Sequence, residues 1–291
     1  MSVTIIGDAF IDILVPVHGI RSGGAYHRNV IMRCGGTANV ATMVSELGES
    51  AKFIGKVGND ALGHHFKQNL REKGVKDLTI VSEQHPTGIC VVLIDERGER
   101  TMVTSRGAND FLTKEDIDRY IDEILNSRVV YFSGYLLQSP TSLESVIYTM
   151  QKSKENGCEI WFNPGAPNII TNQFKKIIKD FVEVLILNIE EAREIANESD
   201  SSKVLVKLKD IVSTMVVTVG ENGCFVLNDG EFTHVKADRL ESVIDTTGAG
   251  DAFSAGFIVG KLRGMEETKC AELGHKSAAN FIKKKKEWFM K

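Results

Sequence analysis

The sequence predicts an α/β fold: a three-layer sandwich with a mostly parallel central sheet and a small additional β-sheet. Five short apolar runs have the composition of strands buried on both faces, at 3–7, 129–134, 159–163, 184–188 and 215–220. Amphipathic stretches lie between them, such as 113–125, where Thr113 and Asp116 have capping-box spacing, and 141–156, which stops at Gly157. This alternation predicts helices packed on both faces of the sheet.

Two segments interrupt the alternation, at about residues 13–34 and 86–107. The second has alternating polar and apolar residues around a predicted hairpin turn at 96–99. Both are predicted to be antiparallel strands, and we interpret them as a small flat sheet that projects from the sandwich as a lid. Edge hairpins of the main sheet are the alternative. The sequence shows no repeat or Pro-rich linker, so residues 1–291 are predicted to form a single domain.

Composition indicates a protein that binds small molecules. The chain has 291 residues, 42% of them hydrophobic, which is enough for a substantial core. A net charge of −4 argues against a general affinity for nucleic acid or anionic lipid. Five scattered cysteines suggest reduced thiols in the cytoplasm, with no disulfide framework. We expect neither secretion nor a membrane span, because no basic leader or run of roughly 18 apolar residues is present.

The segment DTTGAGD at 245–251 precedes a predicted helix at 252–262. The small residues Gly248, Ala249 and Gly250 leave the backbone N–H groups of a helix start accessible to a phosphate. Asp251 would be placed to accept a proton from a hydroxyl that attacks phosphorus. Taken alone, the segment is equally compatible with a small-residue turn whose aspartate caps the helix.

The longer string DTTGAGDAFSAGF resembles the C-terminal signature of the ribokinase-like, or PfkB, family of carbohydrate kinases, and the resemblance covers nearly the whole chain. Further segments resemble the family's motifs in the same order along the chain: IIGDAFIDI, CGGTANVA, FIGKVGNDALG, HPTGICVVLID, ERTMVTSRGAN, WFNPG, NIEE and TVGENG. The resemblance implies the predicted sandwich with a β-sheet lid. It also implies an ATP-dependent kinase that transfers the γ-phosphoryl group to a hydroxymethyl group of a sugar or sugar derivative, with Mg²⁺.

The resemblance also implies roles for individual residues. Asp251 would be the catalytic base and Gly248, Ala249 and Gly250 the anion hole. The substrate would contact Asp12, Gly35, Gly36, Asn39, Arg106 and Asn163, and the nucleotide would contact Asn188, Thr218, Gly220, Gly223 and Asn280. Glu191 would organise Mg²⁺, mainly through water. Asn188 and Glu191 have an alternative interpretation as helix-capping residues, and Asp245 is expected to orient the site or bind a cation. Pairing through the lid would give a homodimer.

The chain departs from the family pattern in three places. The glycine-pair motif is one residue shorter, with Thr37 where ribokinases often have lysine, and Gln138 stands near the place of a ribose-contacting acid. A nucleoside kinase therefore remains an alternative, as does a non-catalytic regulator. The absence of G-x-G-x-x-G and Walker motifs argues against a dehydrogenase or a P-loop enzyme.

The C-terminus is the third departure. It lacks the loop with which many relatives bind potassium, so weak or no potassium activation is expected. The lysines at 283–286 are expected to be the solvated end of the last helix.

Overall fold

The structure is a computed structural model that describes residues 2–17, 30–95, 100–228, 230–240 and 246–290. The strands are β1 (Ser2–Ile6), β2 (Ala9–Pro16), β3 (Ile31–Gly36), β4 (Ser50–Ile54), β5 (Lys56–Gly58), β6 (Lys76–Asp77), β7 (Ile80–Ser82), β8 (Gly88–Ile94), β9 (Arg100–Ser105), β10 (Val129–Ser133), β11 (Glu159–Asn163), β12 (Val184–Asn188), β13 (Thr214–Thr218), β14 (Cys224–Asn228) and β15 (Glu231–Val235). The helices are α1 (Ala38–Glu46), α2 (Ala61–Glu72), α3 (Lys114–Asp118), α4 (Ile121–Leu125), α5 (Pro140–Glu155), α6 (Asn172–Phe181), α7 (Ile189–Ala196), α8 (Ser201–Leu208), α9 (Ala249–Leu262) and α10 (Glu267–Met290). Short 3₁₀ helices occur at Gly107–Phe111, Gly134–Gln138, Pro167–Ile169 and Gly220–Asn222.

In the described part of the chain, nine strands form the central sheet, in the order β15-β14-β13-β12-β11-β10-β1-β4-β6. The pairs from β13 to β6 are parallel, and β14 and β15 add antiparallel strands at one edge. The five apolar runs predicted to be strands are β1, β10, β11, β12 and β13, which occupy five adjacent places in the sheet. This confirms the prediction of strands buried on both faces, because helices cover both sides.

Two apolar cores lie on opposite faces of this sheet. One contains side chains of α1, α9 and α10 with alternate residues of the strands, such as Tyr131 and Trp161. The other contains α5 and α6 with the intervening residues, such as Phe132 and Phe162. The predicted three-layer sandwich is therefore correct. Helix α9 is buried along most of its length, since α1 and α10 also pack against it, whereas its first turn is partly exposed.

A separate four-stranded sheet has the order β3-β2-β8-β9. The pairs β2–β3 and β8–β9 are antiparallel, as predicted, whereas the two hairpins join through the parallel pair β2–β8. This lid sheet begins at Ala9 and ends its second strand at Gly36, so it extends beyond the predicted segments toward the central sheet. The predicted turn at 96–99 lies outside the described residues. The alternative in which these strands are edges of the main sheet is excluded.

Two helix predictions differ from the structure in detail. The stretch 113–125 forms two short helices, α3 and α4, because Tyr120 leaves the helical conformation at φ −127° and ψ 17°. The capping box of Thr113 and Asp116 is present as predicted. The stretch 141–156 is the single helix α5, which starts one residue earlier, at Pro140. Across the described residues, none of the helices combines the length and apolar character that crossing a membrane requires.

Candidate active site

A cavity of about 600 Å³ lies between the lid sheet and the carboxyl ends of the central strands β1, β10 and β11. The carboxyl ends of parallel strands form the crevice in which open α/β sheets bind ligands. From the lid, Phe10, Asp12, Val92, Met102 and Thr104 face the cavity. Gly36, at the end of the lid strand β3, also lines the cavity. From the other side it is lined by Asp8, Thr37, Asn39, Arg106, Ser133, Asn163, Thr247, Gly248 and Asp251, among others. We call it the acceptor cavity.

The start of α9 forms one wall of the acceptor cavity. Gly248 precedes the helix in a left-handed conformation, with φ 81°, and no side chain caps the first turn. A Cβ atom at this position would lie 2.9 Å from the Phe281 ring, so only glycine allows this approach. The first N–H groups of a helix lack intrahelical acceptors and carry partial positive charge. This turn therefore forms a cradle for an anion.

Asp251 is the third residue of α9 and faces the acceptor cavity. Its carboxylate accepts a hydrogen bond from Nδ2 of Asn39 at 3.1 Å. Burial opposes the charged form and raises the pKa of Asp251 to about 6, while the bond from Asn39 lowers the pKa. A carboxylate with such a pKa is ionised near neutral pH and still accepts a proton more readily than an exposed aspartate.

Asp12 lies on the lid face of the same cavity. Its carboxylate oxygen is 3.4 Å from Nε of Arg33, and burial raises its pKa. Gly35 is required for this arrangement, because a Cβ atom there would lie 2.3 Å from Oδ2 of Asp12. Gly36 and Asn39 line the cavity directly, whereas Gly35 lies behind Asp12 within the described site. The structure thus brings together the residues of the first two motifs that are predicted to contact substrate.

Arg106 and Asn163 also face the acceptor cavity, and both are fixed by bonds to other groups. Nη2 of Arg106 donates to Oδ1 of the buried Asp8 at 3.0 Å, and Arg106 also pairs with Asp110. Burial raises the pKa of Asp8 to about 6, against the opposing effect of Arg106. Asn163 donates from Nδ2 to the Ile186 carbonyl at 2.9 Å. Asp8 belongs to the motif IIGDAFIDI, but that motif alone does not indicate its pairing with Arg106.

An apolar wall completes the acceptor cavity and was not predicted. Its members come from five separate segments of the chain: Phe10, Val92, Met102, Tyr135 and Ile169. No spacing in the sequence connects them, because they meet only when the lid sheet lies over the central sheet. The cavity therefore combines a polar end, near Asp12 and Asp251, with an apolar side.

A second cavity, of about 300 Å³, lies on the other side of the same helix start. Three residues predicted to contact nucleotide line it, namely Thr218, Gly220 and Gly223. Ala249 and Gly250 face this cavity, whereas Gly248 and Asp251 face the acceptor cavity. The two cavities therefore meet at the first turn of α9. We call the second one the nucleotide cavity.

One face of α10 closes the nucleotide cavity with His275, Ala278, Ala279 and Ile282. Asn280, the residue predicted to contact nucleotide here, is exposed and does not belong to the cavity lining in the described structure. The helical period explains the difference, since the lining residues follow a spacing of three and four and Asn280 falls off that stripe.

Asn188 and Glu191 form a capping box at the start of α7. The Asn188 side chain accepts from the N–H groups of Glu190 and Glu191, and both Glu191 oxygens accept from Asn188, at 2.8 and 3.0 Å. Burial raises the pKa of Glu191 to about 7. The capping interpretation left open by the sequence is thus present, and neither residue lines either described cavity.

The lysine run at 283–286 differs from the predicted solvated helix end. Lys283 and Lys284 are exposed, but Lys285 is only 1% exposed and donates from Nζ to the Thr247 carbonyl at 2.6 Å. Position 285 continues the stripe of α10 that includes Ala278 and Ile282, so the helical period turns it inward. Asp245, expected to orient the site or bind a cation, lies outside the described residues.

Comparison with known proteins places this geometry in a family. Residues 1–287 match the pfkB family carbohydrate kinases. An uncharacterized sugar kinase of Archaeoglobus fulgidus is 27% identical over 83% of this chain and 94% of its own length. A ribokinase of Haemophilus influenzae is 27% identical over 85% of this chain and 80% of its own. The crystal structure of adenosine kinase from Sinorhizobium meliloti superposes with a TM-score of 0.88 and 29% identity, covering 97% of this chain and 93% of that one. The chain belongs to the pfkB family of carbohydrate kinases and is a phosphotransferase with an alcohol group as acceptor.

Proposed function

We propose that the protein is an ATP-dependent kinase that phosphorylates a hydroxymethyl group of a sugar or sugar derivative, with Asp251 as the catalytic base. One observation carries the proposal: the acceptor and nucleotide cavities meet at the first turn of α9, with Asp251 on the acceptor side. A hydroxyl and a terminal phosphate that enter from opposite sides would meet at this turn.

The proposed reaction needs little acid–base chemistry. The acceptor oxygen forms a bond to the γ-phosphorus, the bond from that phosphorus to the β–γ bridging oxygen breaks, and ADP leaves. Asp251 takes the proton from the acceptor hydroxyl as the new bond forms. The N–H groups of the uncapped helix start, at Gly250 and Asp251, stabilise the negative charge on the transferred group.

The described residues fit ATP and a hydrated magnesium ion. Gly220 and Gly250 have open space where a Cβ atom would stand, which leaves the backbone accessible to phosphates. Both carboxylate oxygens of Glu191 accept hydrogen bonds from Asn188, so this pair would hold Mg²⁺ through water molecules bound to the ion. Mg²⁺ loses its water ligands reluctantly, which fits such an indirect contact. In the described residues no group of three His, Cys, Asp or Glu side chains offers a direct metal site. When bound, the ion would neutralise charge on the phosphates.

The polar end of the acceptor cavity supports a sugar. Asp12 and Asn39 offer an acceptor and an amide for sugar hydroxyls beside Asp251. The apolar wall favours a second candidate, a nucleoside, because a ribose at the polar end would leave a base against Phe10, Val92 and Met102. The relatives include both a ribokinase and an adenosine kinase.

A panel of acceptors tests the proposal. Purified protein with ATP and Mg²⁺ is assayed for ADP release with ribose, fructose, sugar phosphates, adenosine, guanosine and cytidine, and products are identified by mass spectrometry. A phosphorylated sugar or nucleoside supports the function, and competition between the best of each class separates the two candidates. If none of the acceptors stimulates ADP release, the result would contradict the proposal and support a non-catalytic role.

We further propose that residues 1–291 act as a single kinase domain in which the segments 13–34 and 86–107 form the lid. The lid also supports a homodimer, because β3 and β9 are its outer strands among the described residues and it carries exposed apolar side chains. Met32 is 50% exposed and Val103 is 61% exposed, whereas Met102 on the opposite face of β9 lines the acceptor cavity.

All five cysteines are free, which fits a reducing compartment such as the cytoplasm.

A further inference from the structure

Lys285 is a buried cation next to the site. It is 1% exposed, and its ammonium donates to the Thr247 carbonyl at 2.6 Å. Nζ also lies 5.4 Å from the centroid of the Phe281 ring, one turn earlier on α10. Removing an ammonium group from water costs several kcal/mol unless charges and hydrogen bonds compensate for it, so the partners of Lys285 hold its ammonium in one place.

The position of this charge in the fold is unusual for a lysine. Thr247 immediately precedes Gly248, so the ammonium sits beside the N-terminus of α9, where the helix dipole already contributes positive charge. A cation is disfavoured at a helix N-terminus, and an anion is favoured. The ammonium of Lys285 and the N-terminus of α9 therefore both lie at the turn where the two cavities meet, next to the place where a negatively charged group would bind.

Lys285 also holds the geometry of that turn. Phe281 packs on Gly248, within 2.9 Å of the position that a Cβ atom would take. Lys285 fixes the preceding carbonyl, so α10 contacts two successive residues of the turn. Among the described residues, those that line the two cavities do not include Lys285, which places it behind the turn and out of contact with substrate.

We propose that Lys285 is a positioning residue of the kinase reaction, a fixed internal cation that holds the 246–248 turn and strengthens the anion cradle at the start of α9. This inference rests on the proposed function. Its charge has a second effect in the same direction, since it lowers the pKa of Asp251 and Asp12 and so favours their ionised forms. One side chain thus supports both the cradle and the base.

The main test compares Lys285→Met with Lys283→Met, a matched change at an exposed lysine of the same helix. We expect kcat of Lys285→Met to fall about tenfold or more below that of Lys283→Met, since preorganised charge at a developing oxyanion has effects of this order or larger. The acceptor KM should change much less, and the acid limb of the pH profile should move to higher pH. Lys285→Gln, which keeps a donor for the Thr247 carbonyl without the charge, should lose nearly as much. A kcat within twofold of the control for either variant would overturn the proposal.

Chemical rescue separates charge from folding. Lys285→Ala removes three carbons and the ammonium, the same groups that n-propylammonium carries. Added n-propylammonium should restore several-fold activity, whereas tetramethylammonium at equal ionic strength should not. No rescue in a variant that melts cooperatively would contradict the proposal.

A last readout needs no acceptor and so remains valid if the proposed function fails. Calorimetry should show weaker ATP binding to Lys285→Met than to Lys283→Met, by about threefold or more. Equal ATP affinities would overturn the role of Lys285 in the cradle. Failure of the wild-type protein to phosphorylate any acceptor would instead overturn the proposed function.

Discussion

Asn39→Ala tests how Asp251 is tuned. The amide of Asn39 is 3.1 Å from the Asp251 carboxylate, and this bond opposes the effect of burial on the pKa of Asp251. Removing the amide takes away a donor that stabilises the charged form of Asp251 more than its neutral form. The pKa of Asp251 should therefore rise from about 6.

The size of the effect follows from the geometry. A hydrogen bond to a charged group contributes about 1.5–3 kcal/mol, and one pKa unit corresponds to about 1.4 kcal/mol. We take about one unit, the lower end of this range, because Asp251 faces the acceptor cavity and is only partly buried. At pH 6 the ionised fraction would then fall from about one half to about one tenth, a fivefold loss of rate. Above about pH 8.5 both proteins are fully ionised and the difference should vanish.

The assay is kcat at saturating ATP and acceptor, measured from pH 5 to 9. Asn163→Ala is the matched control, because Asn163 also lines the acceptor cavity but donates to the Ile186 carbonyl. Its acid limb should stay at the wild-type position. A rate loss in Asn39→Ala that is equal at all pH values would refute the reasoning, since it would show that Asn39 acts on binding alone.

Three further predictions concern Mg²⁺, the lid and potassium. Glu191→Gln should raise the Mg²⁺ concentration for half-maximal rate more than the acceptor KM, because a neutral side chain orders hydrated Mg²⁺ less well; identical metal titrations would leave Glu191 as a helix cap. Val103→Asp should shift a dimer toward monomer in sedimentation at micromolar concentration, whereas Val206→Asp, at a site 72% exposed on α8, should not; a wild-type monomer would contradict the dimer. Exchanging potassium for sodium or tetramethylammonium at fixed ionic strength should change kcat less than twofold, because Lys285 already engages the Thr247 carbonyl; a several-fold rise specific to potassium would contradict this.

The central sheet could be predicted from the sequence because its strands are short apolar runs that need burial on both faces. The motif at 245–251 predicted a helix start with Asp251 near it, and the structure places that start between two cavities. These features depend on the local sequence, namely on the apolar pattern of each strand and on small residues that leave backbone N–H groups accessible.

The remaining features depend on tertiary contacts that the sequence does not display. The run at 283–286 has four identical side chains, and only the register of α10 against α9 decides that Lys285 points inward. The same register excludes Asn280 from the nucleotide cavity. Asp8 is paired with Arg106, which is 98 positions away along the chain, so its role emerges only from the folded lid.

Single-turnover phosphoryl transfer by Asp251→Asn tests the central claim most directly. With ATP, Mg²⁺ and the best acceptor bound, the account predicts a rate lower by about 10²-fold or more, as expected for loss of a positioned base, with ATP affinity nearly unchanged. A transfer rate within a few-fold of wild type, in a variant that melts cooperatively and binds both ligands, would contradict the assignment of Asp251 as the base.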